Sequence, residues 1–117
     1  MKVTDDGFLG GRLQVLQSEK GYRAGIDAVM LAAAVPAVPG DNVLDLGAGV
    51  GVASLCVASR CLDVKATGLE IQSALVETAL ENIKRNDLVL RARIIEGSIS
   101  EKAAILADKD VAYGSFD

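Results

Sequence analysis

Asp45, Gly47, Gly49, Gly51 and Glu70 are the residues whose types and spacing could do chemistry. The glycines alternate as G-x-G-x-G, with an acid two residues ahead of the first. Glycine tolerates positive φ and lets other groups approach the backbone closely. If the turn feeds a helix, that helix aims unpaired N–H groups and its positive dipole end at whatever lies above, a site for an anionic or polar ligand group. Asp45 would end a buried strand, and a carboxylate there needs a partner, either a ligand ammonium or nearby backbone N–H groups. Glu70 stands 19 residues after Gly51. At the end of a second strand it could accept both hydroxyls of a ribose, and is expected to serve a ligand rather than the core. The bland alternatives are a tight strand-to-helix turn without a ligand and a solvated acid at a strand end. Ile71 could pack on a nucleobase face or open the core stripe of the next helix.

The elements around these residues alternate. Pro39-Gly40 punctuates the chain before the β-favouring run Val43 to Leu46, and Val50 to Arg60 reads as its helix. Val64 to Glu70 is a second strand and Ser73 to Asn86 the clearest helix. There Leu75, Ala79 and Ile83 repeat every four residues, Val76 and Leu80 widen the stripe, and Glu81 with Arg85 forms an i,i+4 pair. Arg91 to Glu96 is a third strand, with Arg91 and Arg93 on one face, and Ser100 to Leu106 a short helix. Ahead of this core, Phe8 to Glu19 suggests a hairpin around Gly10-Gly11. Ile26 to Val35 reads as a helix with Ile26, Val29, Met30 and Ala33 on one face, stopped by Pro36. Strand–helix–strand–helix–strand predicts a parallel sheet with right-handed crossovers, and such sheets bind ligands at the carboxyl ends of their strands. The glycine turn, Glu70 and Gly97-Ser98-Ile99 would meet there.

At 117 residues the chain is at most one domain, and with 50% hydrophobic residues it has the material for a core. Aromatics number four and Trp none, so aliphatic side chains must build that core. The net charge of −4 attracts no polyanion globally, and the absence of histidine excludes His-based triads and most transition-metal sites. Cys56 and Cys61, five apart on one predicted helix, point in different directions and read as reduced thiols of a cytoplasmic protein. Residues 1–6 are polar and acidic where a signal peptide is basic and then apolar, and the apolar run 28–38 is far short of a membrane span.

A dinucleotide fingerprint, G-x-G-x-x-G, would need glycine where Val52 stands. The run Asp45-Leu46-Gly47-Ala48-Gly49-Val50-Gly51 instead resembles the first motif of class I S-adenosylmethionine-dependent methyltransferases. That resemblance implies S-adenosyl-L-methionine as cofactor and a Rossmann-like α/β fold. It lays Gly47, Ala48, Gly49 and Gly51 against the homocysteine part, Glu70 on the ribose, and Ile71, Ser98 and Ile99 around the adenine. An aspartate commonly stands where this chain has Ser98; serine keeps an acceptor but loses the charge. The stretches Asp6 to Leu13 and Gly21 to Ala32, with Gln17, are similar to the start of the bacterial family that methylates N6 of an anticodon-loop adenosine in a valine tRNA. In that family the segment from Tyr22 and Arg23 to Asp27 helps close the cofactor site.

Amino methyltransferases of this type carry Asn-Pro-Pro-Tyr at the end of the fourth strand, and this sequence has no such run. No catalytic residue is therefore assigned. The expectation is residues 1–24 as hairpin and loop and 25–117 as a three-stranded βαβαβ core with flanking helices, truncated before the fourth strand. The partner implied for the complete enzyme is tRNA or another nucleic acid, with no membrane. The open edge of the first strand offers a route to self-association. The alternatives are a protein-glutamine or rRNA-guanine methyltransferase of the same fold, a non-catalytic cofactor-binding module, and, disfavoured by Val52, a nicotinamide oxidoreductase.

Overall fold

Short strands joined by helices cannot pair antiparallel, because the connecting helix carries the chain back to its starting end. The computed structural model, which describes residues 2–21, 23–112 and 114–117, shows this alternation. A hairpin of β1 (Val3–Phe8) and β2 (Leu13–Ser18) is followed by α1 (Ile26–Ala34). Then come β3 (Asn42–Leu46), α2 (Val52–Arg60), β4 (Lys65–Glu70), α3 (Ser73–Arg85), β5 (Ala92–Glu96) and a short α4 (Ala103–Asp108). The sheet runs β3-β4-β5, all parallel, with Asp45 opposite Gly68 and Glu70 opposite Glu96.

Two successive crossovers place α2 and α3 on one face of this sheet, as connections of a single hand must. The main core fills the space between them, where Val43, Ala92 and Ile94 meet Val52, Leu55, Val76, Ala79 and Ile83. A smaller cluster on the other face joins Leu44, Leu69 and Ile95 to Leu106, Val111 and Phe116. The hairpin lies over α2 and α3, its alternate residues Leu13, Val15 and Gln17 buried against them. It is longer than hydropathy suggests because the residues that pair across its far end are polar. Thr4, Gln17 and Arg23 all hydrogen-bond to Asp6 or to one another, and Asp6 is held below the usual carboxylate range, chiefly by the Thr4 hydroxyl.

Several finer expectations need correction. In α1 the inward face is Ala28, Val29 and Ala32, whereas Ile26 and Met30 are exposed; a helix apolar all round gives periodicity nothing to select on. It ends at Ala34, with Val35 extended at ψ 118° as a residue before proline prefers. Helix α2 begins at Val52, not Val50, because Gly51 sits at φ 92°. Cys61 therefore lies past the helix end as its C-cap, and both cysteines are free thiols. Leu80 is exposed, and Arg85 pairs with Asp5 of the hairpin at 2.6 Å. The arginines of the third strand diverge: Arg91 donates to the Ala58 and Cys61 carbonyls at the end of α2, and Arg93 to Thr67 and the Asp110 carbonyl.

After β5 the chain crosses under the sheet by α4 and reaches the free edge of β3. There the Asp117 amide donates to the Asn42 carbonyl at 2.8 Å, and the Asp117 carboxylate accepts from the Asn42 amide at 2.8 Å. The last residue thus lies against the outer edge of β3, the first strand of the sheet. No helix among the described residues is long and apolar enough to cross a membrane.

Candidate functional site: a glycine cradle at the carboxyl ends of the strands

Gly47, Gly49 and Gly51 take φ of 71°, 59° and 92°, the left-handed region that any side chain would strain. The turn they form is tied down from several directions. The amides of Gly47 and Ala48 both donate to the Leu69 carbonyl, at 2.9 and 3.0 Å, fastening the turn to β4. Gly51, the N-cap of α2, receives the Leu55 amide at 2.9 Å. Added side chains at Gly47 and Gly49 would meet nothing within 4 Å, so the outer surface of the turn is open.

Glu70 ends β4 only 6% exposed, its two oxygens accepting the Gly49 amide at 2.9 Å and the Gln72 amide at 2.8 Å. The carboxylate thus belongs to the architecture as well as to any ligand, which corrects the expectation that it serves a ligand alone. Each oxygen retains lone-pair capacity for a hydroxyl donor. Asp45 accepts the Ser54 hydroxyl at 2.9 Å. Burial pushes its carboxyl above the ordinary range; Ser54 opposes that shift and the charge of Glu70 adds to it. The two acids are near enough for the charge of Glu70 to disfavour that of Asp45, which a cationic ligand group beside them would relieve.

Beyond β5, Gly97 donates to the Glu70 carbonyl at 3.0 Å. Glu101 accepts the Ser98 amide at 3.0 Å and Lys109 Nζ at 3.0 Å on each oxygen, and Lys109 reaches the Glu96 carbonyl at 3.1 Å. The Lys109 contact holds Glu101 below the usual carboxylate range. Ser98 turns its hydroxyl to Ser100 Oγ at 2.7 Å. Ile71 and Ile99, one after each strand end, are each 65% exposed, so neither opens a core stripe. Arg23 bonds into the hairpin, to Thr4 and Asp6 at 2.9 Å and to the Ser18 carbonyl at 2.7 Å. Tyr22 lies outside the described residues.

Three further residues prove important. Gly68 packs under the turn: a Cβ there would sit 2.6 Å from Ala48 Cβ and 2.5 Å from Ile94 Cδ1. A glycine inside a strand pattern is the signal for such close approach. Ser54 and Asn82 are polar residues on apolar helix faces, at 2% and 0% exposure. Each is a buried donor that must have a partner, and each partner lies at the site. A cleft of about 440 Å³ opens among Asn42, Lys65, Thr67, Arg93 and Phe116, toward the amino ends of β3 and β4. The acids and the glycine turn converge at the other end of the sheet, so the chemistry is placed there.

The family described as methyltransferase small domain matches residues 18–109. Among curated proteins, the chain is 31% identical over 98 residues to a tRNA1(Val) (adenine(37)-N6)-methyltransferase of Yersinia pestis, covering 83% of this chain and 40% of that protein. It is 46% identical over 79 residues to a ribosomal protein L11 methyltransferase of Thermus thermophilus, covering 68% of this chain and 26% of that one. Among solved structures, an RNA methyltransferase of Salinibacter ruber in complex with S-adenosyl-L-homocysteine superposes with a TM-score of 0.60 at 23% identity, over 70% of this chain and 54% of that one, a likeness of fold. The chain thus spans well under half the length of these curated relatives. With the family matched over residues 18–109 and the glycine turn at the carboxyl ends of the strands, this chain belongs to the methyltransferase small domain family, of the S-adenosylmethionine-dependent class.

Proposed function

We propose that this chain is the cofactor-binding part of a methyltransferase acting on an exocyclic adenine amino group of tRNA. The observation that carries the cofactor half is the locked glycine turn, open outward at Gly47 and Gly49 and closed from behind by Glu70. The residues present fit S-adenosylmethionine. The turn Gly47-Ala48-Gly49 with Gly51 would face the homocysteine part, Asp45 its ammonium, and Glu70 the ribose hydroxyls. Ile71 and Ile99 offer exposed apolar faces to the adenine, and the Ser98 hydroxyl can accept from its amino group. Arg23 would act by fixing the segment that carries Tyr22 to the hairpin.

When bound, the cofactor supplies a methyl group on a sulfonium. The task left to the protein is to hold an amine in line with it at about 3–3.5 Å in a site that excludes water. Asn-Pro-Pro-Tyr is absent from the sequence, so the chain by itself is read as inactive. Support for tRNA is the 31% identity to the Yersinia pestis enzyme, which runs over 83% of this chain. The 46% identity to the ribosomal protein L11 methyltransferase favours a second reading, in which the acceptor is a ribosomal protein. The location is read as cytoplasmic. Among the described residues β3 pairs only with β4 and, at Asn42, with Asp117, so its free edge is also the proposed route of self-association.

The test has two parts. Calorimetry of this chain with S-adenosylhomocysteine should show one site; no binding would overturn the cofactor assignment. Labelled methyl transfer should then be measured for this chain and for one extended through the next strands, with unmodified tRNA and with ribosomal protein L11. Transfer to tRNA by the extended chain alone supports the reading, transfer to L11 alone supports the second, and turnover by the short chain refutes its assigned inactivity.

A further inference from the structure

Helix α3 presents two asparagines four residues apart, hence on one face, to the outer edge of β2. Each behaves like a piece of neighbouring strand. Asn86 Oδ1 accepts the Gln14 amide at 2.9 Å and its Nδ2 donates to the Gln14 carbonyl at 2.9 Å. Asn82 does the same for Leu16, at 2.7 and 3.0 Å. The two latches differ in burial, the Asn86 pair being exposed and the Asn82 pair not, and in where the second amide hydrogen goes. That of Asn86 returns to its own helix, to the Asn82 carbonyl at 2.7 Å, whereas that of Asn82 goes to the Val50 carbonyl at 3.0 Å. Val50 follows Gly49, whose amide Glu70 holds, and precedes Gly51, the left-handed N-cap of α2.

We propose that Asn82 is a positioning residue that couples docking of the N-terminal hairpin to the shape of the cofactor turn. It is fully buried, and a side chain of fixed length that binds Leu16 and Val50 at once cannot follow one without moving the other. Rotating the Val50–Gly51 peptide would strip the amide of its acceptor in a place water does not reach. The hairpin, whose Leu16 lies across this one amide group from Val50, thereby acts on the turn. This rests on the reading of the turn as a cofactor site, and deepens it.

Linkage supplies a test that uses the unaltered chain: if hairpin and turn are coupled through Asn82, occupying the turn must tighten the Leu16 latch. Amide hydrogen exchange is measured with and without saturating S-adenosylhomocysteine. The Leu16 amide should slow at least threefold more than the Gln14 amide, both read where exchange is independent of denaturant, so that opening is local and stabilisation of the whole fold slows neither. In parallel, Asn86→Ala should leave the dissociation constant within about twofold, while Asn82→Ala should raise it about tenfold, the scale of an orphaned buried hydrogen bond. If Asn82→Ala fails to fold, the exchange comparison on the unaltered chain decides. Equal slowing of Leu16 and Gln14, or equal loss of affinity in the two variants, overturns the coupling while the cofactor site stands. If the unaltered chain does not bind S-adenosylhomocysteine at all, the site assignment falls and the inference with it.

Discussion

Replacing Glu70 by alanine should weaken the fold and the cofactor site together, and the structure sets the scale of both losses. The carboxylate holds two backbone amides, Gly49 at 2.9 Å and Gln72 at 2.8 Å. Hydrogen bonds to a charged group are worth roughly 1.5–3 kcal/mol each, so the two bound the loss at about 3–6 kcal/mol. Gln72 is exposed and Gly49 half-buried, so water can replace part of what is removed, leaving about 2–3 kcal/mol. For a domain of this length that corresponds to a fall of about 10 °C in the unfolding midpoint. Binding of S-adenosylhomocysteine should weaken by a further ~1–3 kcal/mol, about 5- to 150-fold, because the ribose loses its acceptor. Glu70→Gln should also lower the midpoint, since its NH2 group would confront one of the two amides. Scanning calorimetry gives the first quantity and titration calorimetry the second. A midpoint within one degree of the parent would refute the architectural role. Unchanged affinity at a temperature where the variant is folded would refute the ribose role.

Gly68→Ala puts a Cβ against Ala48 of the turn, which has no flexible end to yield; overpacking should cost about 1–3 kcal/mol by denaturant unfolding, and Ile94→Val should recover little of it. Asp45→Asn tests the raised carboxyl. A group whose folded pKa lies above its unfolded value stabilises the fold below the unfolded pKa and loses that contribution as pH rises through the folded one. The variant should therefore gain stability relative to the parent near neutral pH, with the gain vanishing toward pH 4 and below; an advantage that does not depend on pH would contradict the assigned cause. Ser98→Asp should hold or improve cofactor affinity if Ser98 faces the adenine, because a carboxylate is the stronger acceptor. A large loss by titration calorimetry would show instead that the loop cannot accept a second charge beside Glu101, whose oxygen already takes the Ser98 amide.

The parts of the fold legible in the sequence are those governed by local rules. Three alternating glycines after an apolar run announce a strand, a turn and a helix, and the structure places all three at positive φ. The four-residue repeat of Leu75, Ala79 and Ile83 places α3 to within a residue. What was not legible depends on partners distant in sequence. No local rule says that Arg85 meets Asp5 rather than Glu81, or that Ser54 is the partner awaiting Asp45. Helix α1 could not be oriented because its composition offers apolar residues on every side, and only the docking of α2 selects Ala28, Val29 and Ala32. Asn82 was visible as a polar residue beside an apolar stripe, yet its meaning needs the edge of β2, 66 residues away.

The placement of the arginines bears on substrate recognition. Arg60 donates to the carbonyls of Ala32 and Val35 at the end of α1, and Arg91 to those at the end of α2. A guanidinium there satisfies acceptors that the helix leaves open and meets the negative end of its dipole. Arg23 and Arg85 fasten the hairpin through Asp6 and Asp5, and Arg93 joins β5 to Thr67 and Asp110. Five of the six arginines are thus spent on internal joints, in a chain whose net charge is −4. Phosphate recognition needs cations free to displace counterions along a backbone. The charge at the glycine turn has the opposite sign, since Glu70 accepts the Gly49 amide and Asp45 lies within reach of its charge. These groups favour a small cationic ligand and disfavour a polyanion at the same spot. The glycine turn is therefore suited to a small ligand and not to a phosphate backbone.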